Sequence, residues 1–173
     1  MNKNSGGCSC GSSDCCASEP KPKKITIDFL YLDLTVCERC QGADTNLDLA
    51  VQEVSKVLTA AGYELTVNKT NITSEELAIK HEFISSPTIR INGRDIDLNV
   101  KETVCKECGD LCGDSSVECR VWEYEGKEYT EPPAAMIINA ILREVYTGSG
   151  KEVPAPGKYE IPENLRNFFK QMK

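Results

Sequence analysis

Between residues 25 and 67 the hydrophobic pattern changes period twice, and this constrains the fold more than any other feature of the chain. Ile25, Ile27, Phe29 and Tyr31 alternate with Leu30, Leu32 and Leu34, so a strand predicted over Ile25 to Val36 is apolar on both faces. Such a strand belongs in the interior of a sheet covered on both sides. From Glu38 to Ala61 the apolar residues Ala43, Leu47, Ala50, Val51, Val54, Val57, Leu58 and Ala61 follow a helical rhythm. Gly62 stands where a left-handed helix cap is expected. Tyr63, Leu65 and Val67 then alternate with polar residues, as in a second strand. Strand, long helix and strand make a βαβ unit, which places the chain in the α/β class.

The rest of the chain continues in short elements. Thr73 and Glu76 have the spacing of a capping box, and Leu77, Ile79, Phe83 and Ile84 give that helix its apolar side. Ser86-Pro87 stops it. Thr88 to Ile91 reads as a strand, Asn92-Gly93 as a hairpin turn, and Arg94 to Leu98 as the return. Residues 99–119 show no periodicity. A second hairpin is expected around Glu125-Gly126, between Val121-Trp122-Glu123-Tyr124 and Lys127-Glu128-Tyr129. Pro133 opens a last core helix carrying Ala134, Ile137, Ile138, Ile141 and Val145. After the link at 147–150, Pro162 begins an amphipathic helix with Leu165, Phe168, Phe169 and Met172. The expected division is a disordered cysteine-rich tail over 1–23, a domain over 24–147 with an insert at 99–120, and a linker with a terminal helix over 148–173.

Ten cysteines and one histidine decide the chemistry. With His81 alone, and read as an ordinary residue of the second helix, a metal site must be built mainly from thiolates, which select zinc, iron–sulfur clusters or soft ions. The formal net charge of −7 argues against nucleic acid or an anionic membrane surface as partner. No apolar run has the length of a membrane span. Residues 1–7 lead into cysteines rather than a hydrophobic signal segment, so the expected compartment is the cytoplasm. There, ten structural half-cystines would be unusual and redox or metal work is the natural use.

Cys37-Glu38-Arg39-Cys40 falls where the interior strand meets the long helix. The first amides of a helix are unpaired and, with its dipole, stabilise an anion there. Cys37 is therefore expected to have a lowered pKa, with Cys40 shielded one turn in. A dithiol of this kind exchanges disulfides or clamps a soft metal.

Strand, CxxC, long helix, strand and helix, followed by Ser86-Pro87-Thr88-Ile89-Arg90-Ile91-Asn92-Gly93, resemble the thioredoxin–glutaredoxin superfamily over residues 25–98 and 121–146. More narrowly, the chain looks like an uncharacterised cysteine-rich thioredoxin-like family of bacteria and archaea. The resemblance implies a βαβ–ββα fold with a cis-proline at Pro87 lying against the CxxC. It also implies that Cys37 attacks and Cys40 resolves in thiol–disulfide oxidoreductase chemistry, with Ser86 and Thr88 beside a bound substrate. Val36 before the motif and Glu-Arg within it depart from the usual thioredoxin and glutaredoxin residues, so neither potential nor substrate carries over.

Cys105, Cys108, Cys112 and Cys119 place four thiols within one short insert, enough to surround a single ion. Zinc is the first expectation; an iron–sulfur cluster and a pair of disulfides are the alternatives. Some of these cysteines are also expected to approach Cys37 and relay electrons or an ion to it. On the tail, Cys8, Cys10, Cys15 and Cys16 form near-vicinal pairs suited to arsenite, mercury or cuprous copper. Two functions follow. One is a redox protein exchanging disulfides with a protein or small-molecule partner. The other is a soft-metal binding or delivery protein with a structural zinc site.

Overall fold

The computed structural model describes residues 21–113, 117–147 and 158–172. Strand β1 spans Lys23–Tyr31, shorter than its apolar run. The reason is local. The carboxylate of Asp33 accepts hydrogen bonds from the amides of Thr35 (2.6 Å) and Val36 (2.8 Å), and this turn ends the strand. Helix α1, Glu38–Ala60, buries Cys40, Ala43, Leu47, Ala50, Val54 and Leu58, while Val57 is exposed. Gly62 takes the expected positive φ, +83°. Strand β2, Tyr63–Asn71, then runs parallel to β1, from Lys23 beside Tyr63 to Tyr31 beside Asn71.

Helix α2, Glu75–Lys80, is capped by Ser74, one residue later than the spacing predicts; its hydroxyl accepts from Leu77 N at 3.3 Å. Ile79 and Ile84 are exposed, so Ala78 and Phe83 carry the burial of this segment. Strand β3, Thr88–Ile91, is antiparallel to β1. The turn at Asn92 and Gly93, both with positive φ, leads into β4, Arg94–Asp95. The four strands form one sheet in the order β2-β1-β3-β4.

A second sheet has the order β5-β6-β7, from Lys101–Val104, Glu118–Tyr124 and Lys127–Tyr129. Helix α3, Lys106–Cys112, bridges the first two of these strands. The segment expected to be aperiodic thus holds a strand and a helix. Lys101, Glu102, Thr103 and Val104 carry no apolar alternation; β5 is held by pairing with β6, with Thr103 opposite Cys119. Helix α4, Ala134–Thr147, packs on α1, and α5 spans Glu163–Gln171.

Strand β1 feeds two cores. Ile25, Ile27 and Phe29 join α1 and α4 through Leu47, Ile137 and Ile141. Leu30, followed by Leu32, enters a second core with Phe83, Val117, the buried cysteines and Leu165, Phe168 and Phe169 of α5. Each such side chain contributes about 1.5–3 kcal/mol of burial, so the terminal amphipathic helix is part of the wall around the cysteines. No described helix is long and apolar enough to cross a membrane.

Candidate metal centre

Cys37 leaves the Asp33 turn in an extended conformation and becomes the N-cap of α1. Cys40 N donates to its sulfur at 3.3 Å, the unpaired helix amide expected from the sequence. Cys105 is likewise the N-cap of α3: its amide donates to Val117 O (2.8 Å) and its carbonyl accepts from Gly109 N (3.0 Å). Cys108 lies one turn further, on the buried face of α3. Cys119 comes from β6.

The four sulfurs of Cys37, Cys105, Cys108 and Cys119 all lie within 4.8 Å of one another. All four residues are at most 1% exposed, and the Cys119 thiol donates to Cys108 at 3.4 Å. A tetrahedral ion with Zn–S bonds near 2.3 Å places its sulfurs about 3.8 Å apart. The residues therefore fit one ion with small adjustments. The donor set is thiolate only and has four members, so it suits zinc or another soft ion and leaves no open position on it. A four-iron cube, with one thiolate per iron, would need the sulfurs spread around a larger object.

This is not the set read from the sequence. Cys112, expected as a ligand with Cys105, Cys108 and Cys119, lies outside the cluster; it is half-exposed and its thiol donates to Gly109 O at 3.7 Å. Seven residues along a helix from Cys105 is an axial rise of about 10 Å, too far to share one ion. Cys37 supplies the fourth sulfur instead, so the expected approach of insert cysteines to Cys37 is the arrangement seen. Cys40 is fully buried beside the four but is not one of them, and its sulfur lies 3.4 Å from Ser86 Oγ.

The Ser86–Pro87 bond is cis and its segment lies against the CxxC through Ser86. Ser86 is committed within the fold: its hydroxyl accepts from Leu32 N (3.1 Å) and its carbonyl from Arg120 N of β6 (2.7 Å). Thr88 is also buried, donating to Ser85 O (2.6 Å) and accepting from Arg120 Nη1 (3.3 Å). The chain's own β6 thus occupies the carbonyl that the resemblance offers to a substrate. Cys8, Cys10, Cys15 and Cys16 lie outside the described residues.

Sequence reasoning missed the groups that hold this centre together. Arg39, read there only as a charge, reaches from α1 across the insert. Its guanidinium donates to Thr103 Oγ1 (2.9 Å), Val104 O (2.9 Å), Cys119 O (3.1 Å) and Thr103 O (3.3 Å). Asn164 of α5 clasps the backbone of Glu118, accepting from its amide (3.1 Å) and donating to its carbonyl (2.8 Å). Arg120, fully buried, pairs with both carboxylate oxygens of Asp95 (2.8 and 2.9 Å) and stacks over Trp122 at 4.2 Å. The spacing of charges in the sequence gives no sign of these long-range partners.

The thiols share their protons unequally. Hydrogen bonds from Cys105, Cys108, Cys119 and Cys40 hold Cys37 well below the usual thiol range. Cys108 and Cys119 also lower Cys105, outweighing the opposing effects of Cys37 and of burial; the Cys105 thiol donates to the Glu107 carboxylate at 3.3 Å. Cys108 is pushed up chiefly by Cys105, and Cys119 by Cys105 and Cys108. The Cys37 thiolate, and then burial, keep the proton on Cys40. The four thiols thus differ in how readily they give up a proton, Cys37 and Cys105 more readily than Cys108 and Cys119, and a cation that binds them would displace those protons.

The family described as "Domain of unknown function (DUF2703)" matches residues 25–141. The chain belongs to that family. The matched span contains all six described cysteines and stops short of α5. The chain is also similar to an uncharacterized protein of Archaeoglobus fulgidus, 30% identical over 105 residues, which are 59% of this chain and 74% of that protein. No solved structure matches the chain.

Proposed function

We propose that this DUF2703 protein is a soft-metal-binding thiol protein. In this reading Cys37, Cys105, Cys108 and Cys119 hold one zinc-class ion within a thioredoxin-like domain over 24–147. The observation that carries it is the convergence of four buried sulfurs from α1, α3 and β6 to within 4.8 Å. Four thiols brought to one point by three separate elements are placed as a shared cation would hold them once their protons are displaced. Support for the scaffold comes from the strand order β2-β1-β3-β4, with β2 parallel and β3 antiparallel to β1, and from a cis-proline beside the CxxC.

The geometry favours metal binding over simple disulfide exchange. The exchange reading makes Cys37 the attacking thiolate and needs Ser86 and Thr88 free to receive a substrate. Here Cys37 is fully buried among thiols, out of reach of a protein disulfide, and both other residues are bonded internally. The tail cysteines Cys8, Cys10, Cys15 and Cys16 remain a proposed second capture segment for arsenite, mercuric or cuprous ion. Tethered to the domain, they would present cargo at high local concentration.

Native mass spectrometry of anaerobically purified protein tests the reading. One ion per chain is expected, with Cys37, Cys105, Cys108 and Cys119 protected from alkylation until a chelator is added. A chain that binds zinc no better than a short dithiol peptide would overturn it.

A further inference from the structure

Cys40 is the thiol that the proposed centre leaves over. It sits in the first turn of α1, fully buried, with its amide 3.3 Å from Cys37 Sγ and its own sulfur held 3.4 Å from Ser86 Oγ. Cys37 therefore has partners on two sides: three cysteines across the insert, and one on its own helix. It cannot serve both, because a ligand must be an anionic thiolate and a disulfide sulfur carries no such charge. Residues three apart on a helical turn have Cβ atoms about 5–6 Å apart, a small movement from the spacing of about 3.5–4.5 Å that a disulfide needs.

Resting on the metal-binding reading, we propose that the centre releases its ion under redox control. Oxidation of Cys37 to a disulfide with Cys40, by a hydroperoxide, removes one of the four ligands. The Cys37 thiolate attacks the peroxide, breaking the O–O bond to give a Cys37 sulfenic acid and an alkoxide, or hydroxide when the oxidant is hydrogen peroxide. The Cys40 thiol then displaces the sulfenic oxygen, forming the S–S bond and releasing water. The two sulfurs together lose two electrons and the peroxide gains them. Cys105, Cys108 and Cys119 are left as an incomplete set, and the ion passes to any competing chelator while these thiolates recover protons from water. Cys40 is chosen over the other three because they are tied to the ion when the oxidant arrives, whereas Cys40 touches Cys37 and is free. A dithiol reductant reverses the disulfide and restores the fourth ligand.

The test uses the zinc-loaded full chain and its Cys40→Ser variant, both assayed for bound zinc before oxidant is added. Hydrogen peroxide is then supplied with a chromogenic chelator, and disulfides are mapped by differential alkylation and peptide mass spectrometry. The wild type is expected to release zinc with a Cys37–Cys40 disulfide, with Cys105, Cys108 and Cys119 recovered as thiols and zinc rebinding after dithiothreitol. The variant is expected to carry zinc and to release it at least about tenfold more slowly, having lost the resolving thiol held at high effective concentration. Release at an unchanged rate in the variant, or Cys40 recovered as a free thiol from wild-type protein that has lost its zinc, overturns the proposal alone. Wild-type protein with no zinc at the outset overturns the metal-binding reading and this inference with it.

Discussion

Replacing Cys37 with serine separates the observed four-sulfur set from the one that spacing suggests. Serine keeps the size of the side chain but offers a neutral hydroxyl in place of a thiolate. Structural zinc sites with four ligands contribute about 10–16 kcal/mol, so one ligand accounts for about 2.5–4 kcal/mol, or roughly 10²–10³-fold in Kd. Cys112→Ser, removing a half-exposed thiol outside the cluster, is expected to change the binding energy by no more than about 0.5 kcal/mol. The assay is thermal unfolding at free zinc fixed about 100-fold above the wild-type Kd, where bound metal adds about 2.7 kcal/mol of stability. A hundredfold loss of affinity cuts that to about 0.4 kcal/mol. At about 2–4 °C per kcal/mol for a chain of this size, the zinc-dependent rise in Tm should shrink by about 5–9 °C in Cys37→Ser and persist in Cys112→Ser. Equal losses in the two variants, or a larger loss at Cys112, would refute the assignment of Cys37 as the fourth ligand.

Three further outcomes follow from the same structure. Arg120→Met should destabilise the metal-free protein by about 3–5 kcal/mol in urea unfolding, because it strands the Asp95 carboxylate beside a buried site; adding Asp95→Asn should recover part of the loss. Arg39→Ala removes four hydrogen bonds that pin β5 and β6 to α1, and should weaken zinc binding by about 1–2 kcal/mol after allowing for the exposure of most of those contacts, read by chelator competition. Tyr159 donates to Phe83 O at 2.6 Å, and burial, foremost among its influences, raises its pKa above the ordinary 10.0. The folded state therefore holds that proton more tightly than the unfolded chain. Its contribution is complete below pH 10, is lost as pH rises through the folded value, and should vanish from the alkaline stability profile of Tyr159→Phe.

Local periodicity and turn chemistry were enough to read most of the first sheet. The two-faced strand, the α1 rhythm ending at Gly62, the Asn92-Gly93 turn and the Cys37 N-cap each depend on residues adjacent in the chain. The boundaries that moved, at Val36 and at Thr73, did so because one side chain captured nearby amides, Asp33 in the first case and Ser74 in the second. Strand β5 was illegible because its order is supplied by β6 rather than by its own side chains.

From the sequence alone it was determined that a single histidine and ten cysteines make any metal site a thiolate site, and that Cys37 sits where helix amides favour an anion. Which thiols share an ion was decided only in three dimensions. The pairing of β5 with β6, the grip of Arg39 and the docking of α5 bring Cys105, Cys108 and Cys119 to Cys37, while helical rise carries Cys112 away. Proximity along the chain measures the entropy of closing a loop, whereas coordination requires sulfurs to meet within a few ångströms, and only packing between distant segments sets that distance.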